Sequence, residues 1–125
     1  MYVPMKCMLD HAAKNNYAVM AANALNMEMA RAVISAADET QSPLIIIMGT
    51  VSMEKHCTPE LMAPMIMRLA CQTKSPIALC LDHGKTLDKV AMALYNRFSS
   101  VMIDASQLPF KENAALTRRV VELCH

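Results

Sequence analysis

The chain has 125 residues, of which 54% are hydrophobic and 18% are charged, and its formal net charge is +1. This length matches one domain with its own core, the hydrophobic fraction excludes a disordered tail, and the balanced charge argues against electrostatic binding to nucleic acid. The longest apolar run, Leu44–Met48, is far shorter than the roughly 20 residues of a membrane span. The N-terminus lacks the basic start and apolar stretch of a secretion signal, so we expect a cytoplasmic protein without nucleic-acid or membrane partners.

Four short apolar runs alternate with amphipathic stretches along the chain. Their aliphatic side chains fall on both alternating faces, which is typical of strands that are buried on both sides of a parallel sheet. The predicted strands are Tyr17–Ala21, Pro43–Met48, Pro76–Leu81 and Ser100–Ile103. Two of them start with proline, a position where a missing N–H costs little.

The stretches between the strands have helical periodicity. One stripe with the spacing of a helix face consists of Met27, Ala30, Ile34 and Ala37. Thr58 and Thr86 are candidate N-caps for the next two helices. The last helix begins near Phe110, and a short helix from about Lys6 to Lys14 precedes the first strand. Pro64 falls inside a predicted helix, where proline costs about 3 kcal/mol unless the helix kinks or the proline lies in its first turn.

These elements predict an α/β fold: a short helix and then four βα units with parallel strands, in a single domain over residues 1–125. Right-handed crossovers would place the helices on one side of the sheet, which gives either an open sheet or an arc of a barrel. A barrel of eight such units needs about 250 residues. The chain therefore has the length of half such a barrel.

The cysteines have an unusual spacing, and methionine is unusually common in the chain. None of the five cysteines forms a Cys-x-x-Cys pair, which excludes a zinc ribbon and a thioredoxin-type site, and we expect reduced, mostly buried thiols. Two Met-x-x-Met pairs, Met5/Met8 and Met62/Met65, have a spacing that would suit Cu(I). Both pairs also fall on predicted helical stripes, so we favour core packing for them.

Polar side chains follow three of the predicted strands, at the end where βα proteins collect their functional groups. Asp82 and His83 come after the third strand, and Gly84 would let the backbone turn tightly or approach a ligand. This pattern fits a metal-binding imidazole beside an acid that exchanges protons. The alternative is an aspartate that forms a turn next to a solvated histidine.

The ends of the first and fourth strands contain further candidates. Asp104 and Ser106 follow the fourth strand, and Asp104 would lie near Asp82 if the two strands are neighbours. In the alternative, Asp104 or Ser106 bonds the local backbone. Asn23 ends the first strand, where its amide binds a ligand or holds the turn.

The run Leu81–Gly84, followed by Ser100–Ser106 and Leu108–Phe110, resembles the class II ketose-bisphosphate aldolases. The likeness extends over the whole chain and includes Tyr17–Val19 and Asn23. The resemblance implies a zinc-containing (β/α)8 barrel of which this chain matches the first half. It also implies a lyase of carbohydrate metabolism that reversibly cleaves fructose or tagatose 1,6-bisphosphate to dihydroxyacetone phosphate and glyceraldehyde 3-phosphate.

The resemblance also implies roles for individual residues. His83 matches a zinc ligand, and Asp82 matches the acid that exchanges a proton with the C4 hydroxyl of the substrate. Zinc would polarise the ketose carbonyl and stabilise the enediolate. Asn23, Asp104 and Ser106 match positions that support the site or bind substrate.

The chain departs from the family pattern at Cys80 and Gln107, where the family has histidine. The family's other two zinc histidines and its phosphate-binding loops belong to the second half-barrel. Within this chain, His56 is the histidine placed to approach His83. We therefore expect a truncated or partial aldolase, the alternative being a non-catalytic half-barrel that serves as a structural or interaction module. Its unpaired sheet edges predict a homodimer or association with a complementary half-barrel.

Overall fold

The computed structural model describes residues 1–125, which form six helices and four strands. The elements are α1 (Met5–Lys14), β1 (Met20–Asn23), α2 (Met27–Glu39), β2 (Leu44–Gly49), α3 (Thr50–Lys55), α4 (Pro59–Ala70), β3 (Ile77–Gly84), α5 (Leu87–Tyr95), β4 (Ser100–Ile103) and α6 (Phe110–Cys124). The strands form one parallel sheet in the order β1-β2-β3-β4. The prediction of a short helix followed by four βα units is confirmed.

The main core lies between one face of the sheet and helices α2 to α6. Because successive side chains of a strand point to opposite faces, alternate residues such as Ile46 of β2 and Leu79 and Leu81 of β3 enter this core, and all three are fully buried. Ile34 of α2 and Ile66 of α4 lie opposite them on the predicted helical stripes. The apolar periodicity therefore identified the buried face of these helices.

A smaller cluster covers the other face of the sheet at the amino ends of β2 and β3. It consists of Met8 of α1 with Ile45, Ala78 and Cys80. The outer strands are less covered than the central ones, since Met20 of β1 is 68% exposed. The sheet thus has well-buried central strands and two accessible edges.

Helix boundaries follow local chemistry in most cases. The Asn26 side chain accepts a hydrogen bond from the Met29 amide (2.9 Å), and the Thr86 hydroxyl accepts one from the Lys89 amide (3.3 Å). Thr58 stands at the N-cap of α4 as predicted, but its side chain makes no capping bond there. Helix α4 continues through Pro64, so the proline does not end the helix.

Three expectations are wrong in detail. The first strand lies at Met20–Asn23 rather than Tyr17–Ala21, because the Tyr17 amide still bonds to the Ala12 carbonyl at the end of α1 (3.1 Å). Helix α3 was not predicted. Cys80 alone among the cysteines is buried, whereas Cys7, Cys71 and Cys124 are exposed and Cys57 is partly buried.

The methionines of the Met-x-x-Met pairs pack into the two cores as favoured. Met8 and Met62 are buried, and Met5 and Met65 pack against them while partly exposed. None of the six helices combines the length and the apolar character needed to cross a membrane.

Candidate active site

The carboxyl end of β3 is interrupted by a β-bulge. Leu81 pairs with Val101 of β4, and the next pair joins Gly84 to Ile103, so β3 has one more residue in this interval than β4. Asp82 and His83 lie inside the bulge and belong to the strand, which ends at Gly84, rather than following it as predicted. An extra residue bends the strand and re-aims its side chains, and bulges recur beside active sites for this reason.

The bulge brings two adjacent side chains together. The backbone φ of His83 is 50°, in the left-handed region that costs a non-glycine residue about 1–3 kcal/mol. In a regular strand, neighbouring side chains would point to opposite faces. Here His83 Nε2 and Asp82 Oδ1 are only 3.9 Å apart. The acid and the imidazole are therefore neighbours in space as well as in sequence.

Gly84 makes the bulge sterically possible. A Cβ at this position would lie 2.8 Å from Leu81 Cδ2 and 2.8 Å from the carbonyl oxygen of Met102. The φ of Gly84 is not positive, so a tight turn does not require the glycine. The expectation of a tight turn is corrected, because the close neighbours of Gly84 are Leu81 and the backbone of β4; the close approach of a ligand stays a prediction.

Asp104, immediately after β4, anchors the imidazole. Its Oδ2 lies 2.9 Å from His83 Nδ1 and 2.5 Å from Lys85 Nζ, and its Oδ1 accepts hydrogen bonds from the Ser106 hydroxyl (2.6 Å) and amide (3.2 Å). The Lys85 ammonium, together with Ser106 and His83, holds the pKa of the Asp104 carboxyl well below its usual range. Asp104 is therefore an ionised carboxylate with donors on both oxygens.

The charge state of Asp104 assigns the tautomer of His83. An ionised carboxylate can only accept hydrogen bonds, so Nδ1 of His83 is the donor in this pair. In the neutral imidazole, Nε2 is then the nitrogen that keeps a lone pair, and the His83 side chain is 58% exposed. Histidines that bind metals commonly donate their other ring nitrogen to a carboxylate in this way.

The other predicted site residues occupy different places. Ser106 bonds Asp104 through both hydroxyl and amide, so the local loop structure predicted as the alternative is present. Asn23 lies at the same end of the sheet, where it pairs with Ile47, but β2 separates it from β3. No hydrogen bond joins its side chain to the Asp82–His83–Asp104 group, and its role remains a prediction.

Two residues of this region were missed by sequence reasoning. Lys85 neutralises Asp104, and the buried Thr50 at the start of α3 donates its hydroxyl to the carbonyl of His83 (3.3 Å). In the sequence, a lysine beside a strand end resembles any solvated charge. Both contacts depend on how β2, β3 and β4 align, so no local pattern indicated them.

The side chains around His83 supply only part of what a zinc site requires. A catalytic zinc takes three protein ligands and keeps one position open. His83, with a free Nε2 and a carboxylate on Nδ1, fits one such ligand. The structure contains no group of three or more His, Cys, Asp or Glu side chains that could hold a metal, and it does not join His56 to His83 in one. The chain alone therefore does not form a complete zinc site.

The parallel sheet, its flanking helices and the acid–histidine pair at the carboxyl end define half of a βα-barrel protein. The family model of the class-II fructose-bisphosphate aldolases matches residues 3–125. The chain therefore belongs to this aldolase family, and the resemblance noted from the sequence is confirmed.

Solved structures give the same result. The YdjI aldolase from Escherichia coli K12 is 31% identical, with a TM-score of 0.92 over 98% of this chain and 46% of its own. A protein provisionally described as a fructose-1,6-bisphosphate aldolase from Coccidioides immitis is 27% identical (TM-score 0.85, 94% of this chain, 46% of its own). A fructose-bisphosphate aldolase from Campylobacter jejuni shares the fold at 24% identity (TM-score 0.79, 91% of this chain, 41% of its own). The chain thus spans about half the length of the aldolases that it matches.

Proposed function

We propose that this chain supplies the acid–base carboxylate and one zinc ligand of a class II aldolase that cleaves fructose or tagatose 1,6-bisphosphate. The observation that carries the proposal is the arrangement of His83. Its Nδ1 is held by ionised Asp104, its side chain is 58% exposed, and the carboxylate of Asp82 is 3.9 Å from Nε2. A metal ligand and a proton-transfer group are thereby presented side by side.

Asp82 is the residue for the proton transfer. Its side chain is partly exposed at the carboxyl end of the sheet, where a substrate hydroxyl can reach it. In cleavage, the carboxylate takes the proton of the C4 hydroxyl, the C3–C4 bond breaks, and its electron pair moves toward the C2 carbonyl. In synthesis, Asp82 returns the proton. General acid–base catalysis of this kind contributes about 10²–10⁴-fold in rate.

His83 and its neighbours keep the metal-binding nitrogen in place. Asp104 fixes the ring orientation, and the Thr50 hydroxyl holds the His83 carbonyl. A zinc ion bound there would supply Lewis-acid polarisation of the ketose carbonyl. The remaining zinc ligands and the phosphate-binding groups would come from outside this chain's own residues, so we expect activity only in a closed barrel.

The test of Asp82 is an aldol-cleavage assay with zinc and fructose or tagatose 1,6-bisphosphate, run on the associated form of the full chain because activity is expected only in a closed barrel. Asp82→Asn should lower the cleavage rate at least about 100-fold without changing zinc affinity. Asp88→Asn, an exposed aspartate in the first turn of α5, is the matched control and should keep the wild-type rate. Equal rates in both variants would contradict the proposed role of Asp82.

The test of His83 is zinc titration by calorimetry of the associated form of the chain, because one chain alone lacks a complete zinc site. His83→Ala should lose zinc affinity, whereas His11→Ala should not, because His11 lies on α1 and its Nδ1 bonds to the Tyr17 hydroxyl. Equal zinc affinities in the two variants would exclude His83 as a ligand.

A second candidate function is a non-catalytic half-barrel that acts as a structural or interaction module. The observation that favours it is the absence of any group of three metal-ligand side chains in the chain. A chain that binds no stoichiometric zinc and cleaves neither bisphosphate in the assays above would have this function instead.

A further inference from the structure

The chain exposes more surface than a compact protein of its mass. Its accessible surface is 7812 Å², whereas a folded monomer of 13.8 kDa exposes about 6,600 Å². The difference, roughly 1,200 Å², exceeds the ~800 Å² that each partner loses in an interface of standard size. The molecule therefore has enough surplus surface for one stable interface.

The surplus exposure includes apolar groups at the two sheet edges. Met20 of β1 is 68% exposed at one edge, and α6 beside the other edge buries only Val120 of its 15 residues. Val121 of α6 is 50% exposed. A groove of about 590 Å³ lies between α1, β4 and α6. Its apolar lining includes Met5, Leu9, Val101, Val121 and Cys124.

One symmetry operation would pair both free edges. A two-fold axis parallel to the mean strand direction preserves that direction, so β4 of one copy can pair in parallel with β1 of the other, and the reverse pair forms at the same time. The eight strands then have no free edge, which removes the exposed N–H and C=O groups of β1 and β4. Such an interface is isologous, as in most homodimers. The net charge of +1 per chain opposes it little.

We propose that two copies of this chain associate through these edges, with β1 of each copy seated in the groove beside β4 of the other. The proposal deepens the proposed function and rests on it for its chemical meaning, since the site is incomplete in one copy. Closure would bring the Asp82–His83 pair of the second copy to the same end of the barrel, so two such pairs would line one opening.

The experiment is sedimentation equilibrium of the full chain, combined with thermal unfolding at several protein concentrations. We expect a species of twice the 13.8 kDa chain mass and a Tm that rises with concentration, because a dimer is stabilised by mass action. Val121→Lys should raise the dimer dissociation constant at least about tenfold. Leu61→Lys is the control, since Leu61 is 68% exposed on α4, away from both edges, and it should leave the dimer unchanged.

Three results would overturn the proposal. They are a monomer at every soluble concentration with a Tm independent of concentration, equal effects of the two lysine variants, and a monomer that instead forms a one-to-one complex with the carboxyl-terminal half of the YdjI aldolase. The concentration dependence of the wild-type Tm decides the matter even if Val121→Lys does not fold. A dimer without aldol cleavage would retain the association and reject the proposed function, and cleavage only in a complex with the carboxyl-terminal half of the YdjI aldolase would do the reverse.

Discussion

The two ends of the sheet contain similar polar side chains that are used in opposite ways. At the amino end of β3, the Thr73 hydroxyl bonds to the Asp38 carboxylate, which also accepts a hydrogen bond from the Lys74 amide (3.1 Å). The Ser75 amide donates to the Thr73 hydroxyl (3.0 Å), and the Ser75 hydroxyl donates to the Ala37 carbonyl (2.9 Å). Thr73 and Ser75 are buried, and these bonds join α2 to the start of β3.

At the carboxyl end, the polar groups are fixed but not all are paired. Asp104 has donors on both oxygens, whereas the side chains of His83 and Asp82 stay 58% and 29% exposed. The backbone there is bulged and has a positive φ at His83. The comparison shows that the polar groups at the amino end stabilise the fold through hydrogen bonds. At the carboxyl end, reactive atoms stay available, and the left-handed backbone of His83 costs stability.

The largest expected effect comes from filling the space at Gly84. Gly84→Ala should lower the free energy of unfolding by about 3 kcal/mol, because the new methyl would meet the Met102 carbonyl oxygen, which cannot rotate away. Gly49→Ala is the control, since its Cβ would find ordinary contacts at 3.7 and 3.9 Å. Urea unfolding of both variants measures the difference. Equal stability would mean that the bulge does not depend on the glycine.

The next effect tests the amino end. Thr73→Val should cost about 2 kcal/mol, because it leaves the buried Ser75 amide without its acceptor and removes the hydroxyl that donates to Asp38. Zinc affinity should not change, since the site is at the other end of the sheet. Ser35→Ala, which removes an exposed hydroxyl that bonds to Glu39, should be nearly neutral. A Thr73→Val variant that lost zinc binding would show that the two ends are not independent.

The pH dependence of stability is a second test of the hydrogen bonds at the amino end of β3. The Thr73 hydroxyl, with help from backbone amides, lowers the pKa of Asp38 below its ordinary value of 3.8. A lowered carboxyl pKa contributes stability above that ordinary value and loses it as the pH falls through the folded-state pKa. The urea midpoint of wild type should therefore exceed that of Asp38→Asn at pH 7, and the gap should narrow as the pH falls below 4. A difference in urea midpoint that increased at acidic pH would contradict the lowered pKa of Asp38.

The smallest effect is expected at Lys85. Lys85→Met removes the ion pair with Asp104, but the ammonium is largely exposed and Asp104 keeps its bonds to Ser106 and His83. We expect a loss of less than about 1 kcal/mol in the free energy of unfolding. Lys6→Met, which removes an exposed helical pair with Asp10, is the control and should behave alike. A loss of free energy of unfolding several times larger would mean that Lys85 stabilises the fold through more than its ion pair with Asp104.

Much of the fold followed from hydrophobic periodicity because the central strands and most helices have one clear buried face. The prediction was weakest for β1, an edge strand whose side chains are mostly exposed, and a preceding apolar stretch at Tyr17 was taken for it. The expectation of mostly buried thiols is wrong for a related reason, since the identity of a cysteine does not reveal which surface of the fold it occupies, and three of the five are exposed.

The candidate site also has a part that the sequence predicts and a part that it does not. Asp82, His83 and Asp104 could be found from the sequence because they stand at strand ends, and the structure joins His83 to Asp104 directly. The bulge, the left-handed φ of His83 and the contact of Lys85 with Asp104 could not, because each arises from the register between β3 and β4. Register is a property of two strands together, so a single strand's sequence does not contain it.

The single extra residue between Leu81 and Gly84 has a consequence for how this strand tolerates insertions and deletions. A chain shortened by one residue here would keep Leu81 opposite Val101 and Gly84 opposite Ile103 and would restore an uninterrupted ladder with β4. Deleting His83 would therefore remove both the residue with the left-handed φ and the metal-binding nitrogen. A shortened strand could gain regularity and still persist as a folded protein, so a gene could lose the chemistry of this site through one in-frame deletion and keep the fold.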